Sequence, residues 1–174
     1  MAVRVFISML NIKIICVGKL KEHFYIDAET EYMKRLAGYC KPEIIEIPEQ
    51  RLPAGSPSPA QISSALEKER TAIMRAYGAG KQNSGTLTIA LCIEGLGTDS
   101  EGLSDLISER AAKGMSQLYF VIGGSFGLHD EIKNKADIKL SLSKMTFPHN
   151  LARVILLEQI YRSFKISEGG KYHK

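Results

Sequence analysis

The run G-G-S-F-G at residues 123–127 directly follows an apolar stretch, L-Y-F-V-I. Paired glycines at the end of a strand let the backbone approach a ligand closely, because no Cβ stands in the way. In an open α/β sheet, ligands bind outside the carboxyl ends of the strands, which is where such a turn lies. Glycine also serves turn conformation alone, so the turn by itself leaves both readings open. Further on, His149 and Arg153 lie one helical turn apart and share a face. That suits anion binding or an ordinary surface pair. The chain ends S-E-G-G-K-Y-H-K, with Tyr172, His173 and Lys174 after a glycine pair. Aromatic and basic groups together can stack on a base and hold a phosphate. A frayed terminus is the alternative.

Other chemistries find no support. G-G-S-F-G is not G-x-G-x-x-G and comes late in the chain, and no G-K-S or G-K-T marks a P-loop. There is no G-x-S-x-G nucleophile turn. Cys16, Cys40 and Cys92 include no C-x-x-C pair, so neither a disulfide framework nor a zinc site is legible. Cys16 and Cys92 sit in apolar runs and read as core fillers, which fits a reducing cytoplasm. His23, His129, His149 and His173 are scattered without ligand spacing, and no metal is expected.

Strands and helices alternate along the chain. Residues 11–18 read as a buried strand closed by Gly18, and 23–37 as a helix. Residues 43–47 form a second strand between Pro42 and Pro48. A proline-rich loop over 50–58 leads to a helix start at Ser58, Pro59 and Gln61, a capping-box pattern with proline in the first turn. That helix carries Ile62, Leu66, Ile73 and Tyr77 on one stripe. Residues 85–93 read as a third strand followed by the turn E-G-L-G, and Ser100 as the cap of the next helix. Residues 118–122 and 138–142 complete five strands, and a last helix covers about 149–165. The near-continuous apolar strands predict an α/β fold with a mainly parallel sheet and helices on both faces.

The last helix is apolar around most of its circumference, with Glu158, Arg162 and Lys165 as its clear polar stripe. Such a helix is buried on several sides, either in a core or at a subunit interface. Residues 1–129 carry 14 Lys+Arg and 14 Asp+Glu, whereas residues 130–174 carry 9 and 5. The net charge of +4 therefore lies in the last quarter. A local basic surface suits a phosphate-bearing partner, or it is a solvated basic face. With 174 residues the chain suits one domain, over 11–174. Residues 1–10 read as an extension, an added strand or a start displaced from Met9, without a full signal-peptide pattern. No apolar run reaches the roughly 18 residues that span a membrane.

The segments F-V-I-G-G-S-F-G-L-H, L-S-L-S-K-M-T-F-P-H, R-V-I-L-L-E-Q-I-Y-R and K-Y-H-K occur in that order. With I-K-I-I-C-V-G-K-L-K near the start, they closely resemble the RlmH family (YbeA/OrfX) of SPOUT-class methyltransferases. The resemblance covers about residues 11–174. It implies an α/β domain with a C-terminal trefoil knot, a homodimer packed through the knot region and last helix, and no membrane. The activity it implies is methyl transfer from S-adenosyl-L-methionine to N3 of a pseudouridine in 23S rRNA, within the ribosome, in the cytoplasm. Carried over by motif, cofactor contacts fall at Leu91, Gly123, Leu142, Ser143, Lys144, Met145, Thr146 and Phe147. Tyr172 and His173 are the candidates for proton removal. Arg153, Arg162 and Lys174 are the candidates for gripping phosphates. The first ten residues and the segment 50–58 depart from the family pattern. The alternatives are a SPOUT methyltransferase acting on tRNA, a non-catalytic RNA or ribosome binder, and a small-molecule α/β enzyme.

Overall fold

In the computed structural model, residues 10–53, 55–78 and 85–169 are described. Five strands form one sheet: β1 (Asn11–Val17), β2 (Lys41–Ile47), β3 (Thr86–Gly97), β4 (Gln117–Ile122) and β5 (Ile138–Ser141). Their order is β2-β1-β4-β3-β5, and every neighbouring pair is parallel. Helices α1 (His23–Leu36), α2 (Pro59–Tyr77), α3 (Ser100–Ala112), α4 (Asp130–Lys135) and α5 (His149–Ser167) connect and cover the strands.

Alternation along the strands divides the core in two. Ile12, Ile14 and Cys16 of β1 face α1, α3 and α5, where Leu36, Ile107, Leu156 and Phe164 join them. Ile15 and Val17 face the other side, with Ile73 and Tyr77 of α2 and Ile132 of α4. Both faces are covered, which is why the strands read as continuous apolar runs rather than alternating ones.

Local signals set several boundaries. The Ser58 hydroxyl accepts from the Gln61 amide at 3.3 Å, and Gln61 Oε1 accepts from the Ser58 amide at 2.8 Å, completing the expected capping box. The α2 stripe is shifted from expectation. Ala65 and Glu69 are buried with Ile73 and Tyr77, while Ile62 and Leu66 are half-buried. Glu69 is tolerated there because its carboxylate accepts the Gln50 amide at 2.9 Å, although burial still pushes its pKa up. The cap of α3 is Asp99, not Ser100: its side chain accepts the Gly102 amide at 2.7 Å.

The larger revision concerns E-G-L-G, which continues β3 instead of turning. Leu91 and Leu96 both pair with Leu140, so β3 carries an irregularity that opens it between these residues. A Cβ on Gly95 would lie 2.6 Å from the Leu140 carbonyl carbon, so the approach of β5 requires glycine.

Helix α5 lies against α1 and α3. Leu156, Leu157 and Ile160 are fully buried in the core, each worth about 1.5–3 kcal/mol. Part of its apolar circumference is therefore core. Val154 and Ile155 remain half-buried.

Candidate functional site

Because the sheet is parallel, the loops that follow its strands share one edge. A cavity of about 880 Å³ opens there, at the ends of β3, β4 and β5. That is within the usual range for a small-molecule site. Leu91 of β3 and Ile122 of β4 form its floor. The glycine turn forms one wall, and the loop after β5 forms another. His149 and Ala152, from the first turn of α5, close the side.

The glycine turn is tightly built. A Cβ on Gly123 would sit 2.3 Å from the Gly127 carbonyl carbon and oxygen. No side chain fits there, so the wall presents bare backbone. Gly127 donates its amide to the Gly124 carbonyl at 3.0 Å. Glu49, just beyond β2, braces the turn from outside. Ser125 donates its amide (3.1 Å) and its hydroxyl (2.6 Å) to Glu49 Oε1. Partial burial pushes the Glu49 carboxyl up, but these two bonds, with His149 and Lys21 nearby, hold it below its ordinary value.

The loop after β5 is held mainly by its own groups. The Ser141 hydroxyl donates to the Ser143 carbonyl at 2.9 Å, and the Met145 amide donates to Ser143 Oγ at 3.0 Å. Ile93, Phe126 and Met145 are exposed apolar groups at the cavity mouth. Glu94 and Lys133 also line it, but they neutralise each other at 2.8 Å, with Asp130 at 2.8 Å from the same ammonium. The cavity is thus apolar-walled, rich in backbone polar groups and almost free of unpaired charge.

Leu91, Gly123, Leu142, Ser143, Met145, Thr146 and Phe147 all line this cavity, although they come from three separate stretches of sequence. Lys144, the other residue of that expected set, is exposed and does not line it. Cys92 lines the cavity and is half-buried rather than a core filler. Cys16 is in the core, where burial pushes its thiol up to about 12. Among the described residues, no group of His, Cys, Asp and Glu could hold a metal. Also among them, no helix is long and apolar enough to cross a membrane.

The expectation for Arg153 is corrected. Its side chain is 3% exposed and ion-paired with Glu29 of α1 and, at 3.0 Å, with Glu46 of β2. A buried guanidinium held between two carboxylates does not face an outside phosphate. Burial raises the pKa of Glu29, with Arg153 opposing. Arg162 is half-buried and pairs with Glu158 at 2.7 Å. Tyr172, His173 and Lys174 lie outside the described residues. Sequence reasoning missed Glu49 altogether. Ser125 stands in the glycine run with no local sign of its role, and no pattern announces His149 beside Gly18, where a Cβ would lie 3.2 Å from the imidazole Nε2.

A family model matches this chain, whose parallel sheet carries the glycine-walled cavity at its carboxyl edge. That family is described as Predicted SPOUT methyltransferase, the match spans residues 10–173, and the chain belongs to it. The curated relatives carry a more particular name. Ribosomal RNA large subunit methyltransferase H from Clostridioides difficile (strain 630) is 44% identical over 165 residues, covering 95% of this chain and 100% of the relative. The protein of that name from Clostridium novyi (strain NT) is 46% identical over 170 residues, with 95% and 100% covered. Among solved structures, a probable methyltransferase from Bordetella pertussis Tohama I aligns with a TM-score of 0.55 at 15% identity, covering 93% of this chain and 98% of its own. A probable methylase family protein from Haemophilus influenzae Rd KW20 aligns with a TM-score of 0.53 at 14% identity, covering 97% and 71%. These two likenesses concern the fold.

Proposed function

We propose that the chain transfers a methyl group from S-adenosyl-L-methionine to N3 of a pseudouridine in 23S rRNA, on the assembled ribosome. The observation that carries this is the convergence of three distant sequence segments on one apolar, glycine-walled cavity in a methyltransferase fold. The names of the relatives point to ribosomal RNA as the substrate. The residues suit the donor: bare backbone at Gly123 can approach its polar groups, and Leu91, Leu142 and Phe147 can pack on a planar ring. When bound, that donor supplies a methyl carbon already activated by a sulfonium.

The protein's part is alignment and proton removal. The cavity walls fix the approach of the acceptor nitrogen, which converts an encounter into an oriented reaction. The proton of N3 must leave, and in this reading Tyr172 and His173 receive or relay it, since imidazole titrates near neutrality. The half-buried Val154 and Ile155 of α5 serve a homodimer interface. The trefoil threading of the C-terminal segment, and action in the cytoplasm, belong to the same proposal.

Incubation with labelled S-adenosyl-L-methionine and, separately, free 23S rRNA, the large subunit, whole ribosomes and tRNA tests the reading. Label is expected in the rRNA of ribosomes. Label in tRNA instead, or in none of these, would overturn it. Deleting residues 171–174 should abolish methylation and leave donor affinity unchanged. Methylation at the normal rate by that variant would remove the tail from the mechanism.

A further inference from the structure

Lys19, Lys21 and Arg51 are exposed, and none makes an ion pair among the described residues. They stand on two loops that leave adjacent strands at the cavity edge of the sheet. Lys19 and Lys21 follow β1, and Arg51 follows β2. Parallel neighbours lie about 4.8 Å apart, so the two loops emerge side by side. Two contacts and one longer-range electrostatic influence tie this patch to the cavity. Gly18 donates its amide to the Ile47 carbonyl at 2.8 Å, joining the roots of the two loops. The Gly18 backbone lies against the His149 imidazole, which lines the cavity. Lys21 acts on the Glu49 carboxylate, which holds Ser125 of the glycine turn.

Phe24 follows Lys21 by three residues and is 64% exposed in the first turn of α1, with its ring 4.2 Å from that of Tyr25. An exposed aromatic ring on the same stretch of chain as exposed cations is the combination that holds single-stranded RNA: the cations follow the phosphates and the ring takes a base. Between Gly18 and Phe24 the one acid is Glu22. Glu49, the acid nearest on the β2 loop, is occupied by Ser125. Arg153 and Arg162, by contrast, already hold carboxylates.

Resting on the RNA methyltransferase reading above, we propose that Lys19, Lys21 and Arg51 grip the phosphates of the RNA beside the target nucleotide, with Phe24 stacking on a flanking base. The substrate then approaches across the β1–β2 side of the cavity.

The test compares wild type with K19A/K21A/R51A, F24A and the control K41A, whose lysine is exposed at the start of β2, on the opposite edge. Donor affinity is read by calorimetry, and kcat and KM for ribosomes are read at several salt concentrations. The triple variant should raise KM at least tenfold, keep donor affinity, and lower the salt slope of RNA binding by about 2, since each single-strand phosphate contact contributes about 0.7. F24A should raise KM about tenfold. K41A should match wild type. A triple variant with unchanged KM and salt slope, in a chain that methylates ribosomes, overturns this assignment alone. A triple variant that loses donor binding also overturns it, because the cations then serve the cavity. A wild-type chain that methylates no RNA overturns the functional reading, and this assignment with it.

Discussion

The two loops that wall the cavity are held in different ways. The glycine turn at 123–127 is fixed from outside itself. Glu49, 76 residues away in sequence, takes both the amide and the hydroxyl of Ser125. The loop at 142–147 is shaped by its own serines, through bonds that span two residues. One wall is preorganised by the fold, whereas the other is set locally and is free to adjust around an occupant. The expectation from this contrast is that the first wall meets a ligand as rigid backbone and the second closes over it. Firmness returns where α5 begins, because Arg153 joins α5 to Glu29 and Glu46.

The largest effect is expected where that firm end is cut. Arg153→Met leaves two acids facing each other without their cation. Removing one partner of a buried charge cluster costs about 3–5 kcal/mol. Urea denaturation should show a loss of that size. A loss below about 1 kcal/mol would mean that the cluster does not anchor α5 and that the second wall is loose at both ends.

Next comes the rigid wall itself. Gly123→Ala forces a methyl group into the Gly127 carbonyl, and the turn must shift by the best part of an ångström. A displacement of that order costs about 100-fold in a positioned site. Calorimetry with S-adenosyl-L-methionine should show such a loss of affinity. Binding within about threefold of wild type would show that this turn adjusts too, and the contrast between the walls would disappear.

Much of this arrangement was legible in the sequence, and the illegible part has a common cause. Strand and helix positions followed from local apolar runs, and the start of α2 from Ser58, Pro59 and Gln61, because each such signal acts within a few residues. The lining of the cavity came from motif resemblance, since the converging segments are far apart in sequence. What escaped notice was long-range pairing. Arg153 looked like a surface cation because its partners lie in α1 and β2, and no local pattern announces them. Glu49 went unremarked because its partner Ser125 lies 76 residues further on. E-G-L-G looked like a turn because glycine usually marks one, but here Gly95 makes room for the backbone of β5.

A smaller effect is expected from Glu49→Ala. It deletes two hydrogen bonds to a carboxylate but leaves the turn's own Gly127–Gly124 bond in place. Donor affinity should fall about tenfold. Glu49→Gln keeps one acceptor and should recover part of that loss. The pH dependence has a definite sign. The Glu49 carboxyl is held below its ordinary 4.5 in the folded chain. Its contribution is therefore complete above that value and is lost as the pH falls through the lowered one. Wild-type donor affinity should hold down to that range, and the Ala variant should lack this acid-side step. Equal acid sensitivity in the two proteins would separate Glu49 from the turn.

The smallest effect belongs to the adjustable wall. Ser143→Ala removes the acceptor for the Met145 amide while keeping the backbone of the loop. Met145 is 68% exposed, so its amide can turn to water when the bond is lost. An exposed neutral hydrogen bond contributes well under 1 kcal/mol net, and donor affinity should change by about threefold or less. A loop that adjusts on binding also pays part of its ordering when the donor arrives, so the association rate should change less than the dissociation rate. Stopped-flow measurement of both rates checks this. If Ser143→Ala costs as much affinity as Glu49→Ala, the second wall is preorganised as well. The cavity would then be a rigid cast on both sides, and its selectivity would have to come from shape alone rather than from one fixed and one closing surface.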